Sequence, residues 1–143
     1  MNKRAPAGEA DRQLMFSIVN AGRAVEQRLE AALARVGLSL AKFGALTHLI
    51  DAGAPLSLSD CAEKMTCVRS NITQLVDRLE KDGLVRRVRD PQDRRAVKAE
   101  VTRRGSERQA AGAKEVAKVQ AELVRTLAAA NPEALRRALT TLT

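Results

Sequence analysis

The residues with the clearest chemical potential lie between Arg69 and Lys81. Placed on a helix, the apolar residues of this segment fall at i, i+3, i+4 and i+7 and form one stripe: Ile72, Leu75, Val76 and Leu79. The opposite face carries hydrogen-bonding and basic side chains: Arg69, Ser70, Asn71, Thr73, Gln74 and Arg78. Such side chains read base edges and bind phosphates in the major groove of DNA. A solvated helix more often carries Glu, Lys and Ala there, so the pattern predicts a DNA-reading helix.

The segments on either side of this helix predict a helix-turn-helix. Ser57 is placed to cap a short upstream helix at Asp60, whose carboxylate suits the positive end of a helix. Residues 66–68 are too few for anything but a turn, so the two helices must cross sharply. Gly83 supplies a left-handed stop after the second helix.

A basic hairpin is predicted to follow the second helix. Residues 84–89 and 96–101 have the pattern of strands, and residues 90–95 that of a turn. From Leu84 to Arg104 there are eight basic and three acidic residues, a net charge of +5. Arg86, Arg94 and Arg95 are candidate DNA contacts, whereas Asp93 is expected to brace an arginine because phosphate repels a carboxylate. A helix-turn-helix with an arginine-tipped hairpin is a winged helix.

Residues 56–105 resemble the DNA-binding core of the MarR family of transcriptional regulators. Three motifs carry the resemblance: LVDRLEKDGLV at 75–85, D-x-R at Asp93 and Arg95, and VTRRG at 101–105. The resemblance implies a dimeric repressor whose two wings face one DNA duplex with a pseudo-palindromic operator. It also implies that Arg95 enters the minor groove and that Arg94 lies beside a phosphate.

The whole chain of 143 residues is predicted to form one mainly α domain with a small β-hairpin wing. Residues 1–10 are expected to be a flexible arm and residues 11–143 the single domain. Within that domain, helices at 11–36 and 106–143 flank the winged helix-turn-helix at 39–105. The flanking helices carry apolar residues that a small core cannot cover, and these are the candidate homodimer interface: Leu14, Ile18, Leu127, Leu135 and Leu139.

Composition limits the classes of function. A net charge of +8 indicates a polyanionic partner. No apolar run approaches 18 residues and no export signal is visible, so we expect a cytoplasmic protein, associated with the nucleoid when it binds DNA, and no membrane partner. No metal-site spacing, cofactor motif or catalytic motif is present, and His48, the only histidine, is expected to be structural. The chain is therefore predicted not to be an enzyme.

Two further hypotheses concern the signal. The resemblance suggests a small aromatic or phenolic effector bound where the dimer helices meet the winged helix, with Phe16, Arg23, Phe43 and His48 as candidate pocket residues. Cys61 and Cys67 stand where the family usually has buried leucine, and Val68 where it usually has Ser or Thr. Cys67 precedes a helix amino end, which favours a reactive thiolate, whereas burial favours an inert one. Redox sensing by Cys61 and Cys67 is therefore the alternative to inert packing of the two thiols. A sequence-blind architectural DNA binder is the remaining alternative, although it does not need the polar face of Asn71, Thr73 and Gln74.

Overall fold

The computed structural model describes residues 7–65 and 69–143, with Ala7, Arg69 and Ser70 described through their backbone only. This part of the chain contains six α-helices and one three-stranded antiparallel sheet. The helices are α1 (Ala7–Ala34), α2 (Leu40–Ala52), α3 (Leu58–Lys64), α4 (Arg69–Lys81), α5 (Arg103–Leu127) and α6 (Pro132–Thr140). The strands are β1 (Leu56–Ser57), β2 (Val85–Arg89) and β3 (Val97–Val101), in the order β1-β3-β2. A mainly α fold with a small β-hairpin wing is thus confirmed.

Side-chain caps determine where four of the helices begin. In each case the oxygen of a polar side chain accepts a hydrogen bond from a backbone N–H three residues later, which satisfies a donor that the helix leaves unpaired. The caps are Ser39 on Lys42 at 3.2 Å, Ser57 on Asp60 at 3.0 Å, Thr102 on Gly105 at 3.0 Å and Asn131 on Ala134 at 3.2 Å. The cap predicted at Ser57 is therefore confirmed.

The core is aliphatic and is centred on α4. The stripe that the sequence predicts for this helix is buried: Ile72, Leu75, Val76 and Leu79. These side chains pack in one cluster with Leu33 of α1, Leu46 of α2 and Leu84 before β2. Burial of one face of α4 leaves its polar face directed away from the core.

The wing is joined to α5 by an unusually close backbone contact. A Cβ atom placed on Gly105 would lie 2.0 Å from the carbonyl oxygen of Leu84, so only glycine fits there. Thr102 adds two bonds to the same turn: its N–H donates to Leu84 O at 3.0 Å and its hydroxyl to Gly83 O at 2.8 Å. Gly83 itself has φ +74°, the left-handed stop that the sequence predicts. The base of the wing is thus fixed against the first turn of α5.

Three features differ from the expectations or lie beyond the described residues. Helix α1 begins at Ala7, so the expected flexible arm overlaps the helix by four residues. Strand β1 is only two residues long, too short to give a sequence pattern, and pairs Leu56 with Ala99. The predicted turn at 66–68, with Cys67 and Val68, lies outside the described residues.

No helix in the described part of the chain is both long and apolar enough to span a lipid bilayer.

Candidate nucleic-acid interface

The polar face of α4 presents the residues that were predicted to read bases. Asn71, Gln74 and Arg78 are exposed, and Thr73 is half-buried. Asn71, Gln74 and Arg78 line one side of an open depression of about 320 Å³, whose opposite wall includes Ala41 and Met65. The side chains of Arg69 and Ser70, the other two predicted contacts, lie outside the described residues. The structure therefore groups three of the six predicted side chains on the side of α4 that faces α2.

The tip of the wing is organised by two aspartates. Asp90 accepts a hydrogen bond from the Gln92 N–H at 2.9 Å and pairs with Lys98 Nζ at 3.2 Å. The Gln92 hydrogen bond first, and then Lys98, lower the pKa of the Asp90 carboxyl from its ordinary value. Asp93 accepts from the Arg95 N–H at 3.0 Å. Asp93 therefore does brace an arginine, but it holds the backbone of Arg95 and leaves the guanidinium to project.

Ion pairs divide the basic residues of the wing region into two groups. Four are engaged by acids: Arg86 by Glu100 at 2.5 Å, Arg87 by Asp77 and Glu80, Lys98 by Asp90, and Arg103 by Glu107 at 3.1 Å. Within the described residues, the other four make no ion pair: Arg89, Arg94, Arg95 and Arg104. Three of these lie at or beside the wing turn, so the uncompensated positive charge is concentrated where the sequence predicts DNA contacts.

Arg86 and Arg87 differ from what sequence reasoning assigned. Arg86 was a candidate DNA contact, and its side chain is exposed, but its guanidinium pairs with Glu100 on the neighbouring strand. Arg87 was counted only as part of the basic charge, yet it bonds to two acids of α4. Its partners are seven and ten residues away across the Gly83 turn, a helix-to-strand contact that neither periodicity nor composition reveals.

The candidate effector residues are not gathered within one chain. Phe16 and Arg23 are exposed on α1. Phe43 is packed against α5, where a Cβ on Gly112 would lie 2.9 Å from its ring and 3.2 Å from Leu33. Phe16 precedes Leu33 by 17 residues, about 25 Å along a helix, so Phe16 and Phe43 do not line one pocket in a single subunit. His48 is half-buried on α2.

Of the two cysteines, the structure describes only Cys61. Cys61 is a core residue with 5% of its surface exposed, packed in the aliphatic cluster around α4. A thiol in such surroundings reacts slowly, because burial disfavours the thiolate. Cys67 lies outside the described residues.

The candidate dimer residues are apolar side chains of α1, α5 and α6 that the single chain leaves exposed or half-buried. Leu14, Ile18 and Leu139 are 64%, 39% and 43% exposed, and Leu127 and Leu135 are half-buried. Further large apolar side chains are exposed beside them: Met15, Phe16, Val19, Val124 and Leu142. An open, mainly apolar groove of about 370 Å³ is lined by four of the α1 residues, together with Asp11 and Leu142: Leu14, Met15, Ile18 and Val19.

Comparisons with known proteins support the assignment of the winged helix. Residues 38–97 match the MarR family model. The HTH-type transcriptional regulator PrsX of Escherichia coli is 33% identical over 93 residues, which are 64% of this chain and 56% of PrsX. The chain thus spans only about half the length of that curated relative.

Solved structures extend the similarity beyond the winged helix. The transcriptional repressor CouR, solved bound to a 23-mer DNA duplex, matches 98% of this chain and 99% of its own, with a TM-score of 0.83 and 29% identity. The transcriptional regulator BldR from Sulfolobus solfataricus matches 96% of this chain and 97% of its own, with a TM-score of 0.75 and 28% identity. Motifs, family match and fold agree: residues 38–97 match the winged helix-turn-helix of MarR-family transcriptional regulators, and the described chain shares the fold of these solved regulators.

Proposed function

We propose that this protein is a sequence-specific, double-stranded DNA-binding transcriptional repressor that acts as a homodimer on a pseudo-palindromic operator. The observation that carries the proposal is the pairing of two surfaces. One is the exposed polar residues of α4, and the other is a wing tip whose arginines form no ion pair among the described residues. The similarity to CouR, a repressor solved on a DNA duplex, supports the same conclusion.

The contacts divide by the chemistry of each side chain. Asn71, Thr73 and Gln74 are the base readers, because amide and hydroxyl groups match the donors and acceptors of the major groove. Arg69, Ser70 and Arg78 hold phosphates and fix the register of α4. Arg95 enters the minor groove, where negative potential attracts a guanidinium, and Arg94 contacts the adjacent phosphate. Arg86 has a lesser part, because Glu100 already compensates its charge.

A second copy of the chain is the proposed cover for the apolar surface at the chain ends. Leu14, Ile18, Leu127, Leu135 and Leu139 would be buried against the same residues of the partner, as a two-fold interface requires. Two subunits also supply two recognition helices about one DNA turn apart. The second helix is needed because one helix alone gives too small an interface for a tight operator complex.

Release by a small aromatic or phenolic effector completes the proposal. Phe16 and Arg23 are available on α1, whereas Phe43 and His48 are half-buried on α2. Since Phe16 and Phe43 cannot meet within one chain, a shared pocket would have to be formed between subunits. A ligand screen on the protein–operator complex tests this part: a compound that releases the operator should lose its effect in Phe16→Ala or Phe43→Ala.

Thiol-based regulation is the alternative within the same fold. The burial of Cys61 speaks against it as the sensing residue. In that alternative, low micromolar peroxide would release DNA from the wild-type protein but not from the Cys61→Ala, Cys67→Val double variant. Equal behaviour of the two proteins would instead support inert packing of the thiols.

The decisive experiment is genomic footprinting of the purified protein, followed by affinity measurements on the site and on a mixed-sequence duplex. A repressor should prefer its site by orders of magnitude, whereas a sequence-blind architectural protein should bind both alike. Asn71→Ala and Gln74→Ala should each cost about 1–3 kcal/mol on the site and relax the preference at one base pair. Arg35→Ala, in the turn after α1, removes a charge from outside α4 and the wing and is the matched control. Equal weakening on every sequence would show that these residues do not read bases.

A further inference from the structure

The recognition helix carries two carboxylates that DNA binding should disfavour. Asp77 and Glu80 both lie within α4 and are exposed. Asp77 follows Gln74 by three residues, so the two side chains are neighbours on the helix surface. An uncompensated carboxylate beside a base reader would be repelled by the phosphate backbone. For α4 to bind DNA, a positively charged group should therefore offset the negative charge of Asp77 and Glu80.

Arg87 of β2 engages both carboxylates. Its Nη1 donates to Glu80 Oε1 at 2.8 Å, its backbone N–H donates to Glu80 Oε2 at 3.1 Å, and its Nη2 donates to Asp77 Oδ1. Both oxygens of Glu80 are thus used by one residue of the wing. The Arg87 side chain is only 28% exposed, so these bonds are partly shielded from water. The bond to Asp77, more than any other contact, raises the pKa of Arg87 above its ordinary value.

The position of Arg87 makes this contact a link between two functional elements. Within the described residues β2 pairs with β3 alone and forms one edge of the sheet. The other edge of β2 faces α4, and Glu80 accepts a backbone N–H that edge strands leave unpaired. A planar guanidinium presents its donors in a fixed fork, so bonds to two acids restrict both distance and rotation. Arg87 therefore sets how α4 is turned relative to the wing.

Two other basic residues near α4, Arg86 and Lys42, bind different acids and do not share the Arg87 contact. Arg86, one residue earlier, bonds to Glu100 within the sheet and does not reach α4. Lys42 of α2 bonds to Asp82, just after α4, at 2.6 Å. The carboxyl end of α4 is consequently held from two sides, by α2 through one charge pair and by the wing through Arg87.

We propose that Arg87 is a positioning residue for operator recognition, which holds α4 and the wing as one unit and neutralises Asp77 and Glu80. Base readers on α4 and Arg95 on the wing then meet the major and minor grooves of one duplex together. This inference rests on the proposed function, since it concerns the specificity of DNA binding. The rival role is a direct phosphate contact by Arg87, with Asp77 and Glu80 as competitors of the phosphate.

The two roles predict opposite effects of removing the acids. If Arg87 were a phosphate contact, Asp77→Asn and Glu80→Gln would tighten binding to the operator, because they free the arginine and remove negative charge. If Arg87 positions α4, both changes should loosen the link, weaken operator binding and lower the ratio of specific to non-specific affinity. A purely structural role would reduce the stability to urea and leave that ratio unchanged.

The experiment is a double-mutant cycle on the full chain, with the footprinted operator and a mixed-sequence duplex of equal length. We expect Arg87→Met to lower operator affinity about tenfold and to reduce the specificity ratio. Glu80→Gln should act in the same direction, and the Arg87→Met, Glu80→Gln double variant should be no worse than the more damaging single variant. Arg103→Met is the matched control, because this arginine pairs with Glu107 within α5, and it should keep the ratio within about twofold of wild type.

The outcomes that overturn the proposal are equally defined. An unchanged specificity ratio in Arg87→Met, additive losses in the cycle, or tighter operator binding by Asp77→Asn would each refute it. If Arg87→Met does not fold, Arg87→Lys replaces it: the charge remains but the fork is lost, so the ratio should still fall. A wild-type protein that prefers no duplex would refute the proposed function itself, whereas a discriminating wild type with an equally discriminating Arg87 variant refutes only this inference.

Discussion

At the scale of single residues, two acids shape the wing turn that carries Arg94 and Arg95. Asp93 fixes the backbone of Arg95, and Asp90 closes the turn with Gln92 and Lys98. Neither acid forms an ion pair with the guanidinium group of Arg94 or Arg95, so both groups are available to bind a partner. The D-x-R pattern made Asp93 and Arg95 visible in the sequence. That Asp93 acts through the backbone could not be predicted, because it depends on the geometry of the turn.

Removing the guanidinium of Arg95 should weaken operator binding and change its dependence on salt. Arg95→Ala deletes one cation from the minor groove, so the slope of log affinity against log salt concentration should flatten by roughly one unit. Fluorescence anisotropy over a range of salt concentrations measures the slope. Arg103→Ala is the control, since Glu107 on the same helix already pairs with that charge. Unchanged affinity and slope in Arg95→Ala would show that this residue does not enter the groove.

The wing turn should loosen in acid because of Asp90. Its pKa is lower in the folded chain, chiefly through the Gln92 N–H, so the charged carboxylate stabilises the folded turn. This contribution is fully present above the ordinary aspartate pKa of about 3.9 and is lost as the pH falls through the lower folded value. Amide exchange at Gln92 should therefore rise in that acidic range. In Asp90→Asn the acid-dependent rise should be absent; a rise of the same size would assign it to another group.

At the scale of elements, sequence patterns identified the helices but not how they are joined. The apolar stripe of α4, the caps at Ser57, Thr102 and Asn131, and the stop at Gly83 are all local, and local signals predict local structure. Strand β1, the Arg87 bonds to α4 and the contact of Gly105 with Leu84 depend on residues that meet only in the folded chain. The sequence therefore predicts the parts of the winged helix better than the contacts that orient them.

The contact at Gly105 gives a direct test of how the wing is joined to α5. A methyl group there would lie 2.0 Å from Leu84 O and 2.8 Å from Val101, both of which belong to the base of the wing. Gly105→Ala should therefore lower the free energy of unfolding by about 1–3 kcal/mol, as overpacking does. Urea unfolding measures this. Gly8→Ala, where the added methyl meets nothing within 4 Å, should leave stability nearly unchanged.

At the scale of the whole molecule, charge and apolar surface occupy different regions. The wing arginines without an ion pair among the described residues lie at one end of the sheet, whereas the exposed large apolar side chains, apart from Val97, lie on α1, the end of α5, α6 and Leu142. A large exposed apolar surface on a folded chain marks an interaction site. This separation allows one surface to join two subunits while the other binds DNA. The core of the single chain leaves apolar side chains of α1 and α6 exposed, and the proposed dimer would cover them.

The protein should therefore be a dimer before it meets DNA. Sedimentation velocity at low micromolar concentration should show a species of twice the mass of the chain, 15.5 kDa. The Leu14→Asp, Leu139→Asp double variant should sediment as a monomer and bind the operator more weakly, because burying an unpaired carboxylate in an apolar interface is costly. Val97→Asp changes an equally apolar, exposed residue on the wing and should leave the dimer intact. A stable wild-type monomer at that concentration would refute the two-fold arrangement, since a single recognition helix buries too little surface for a tight operator complex.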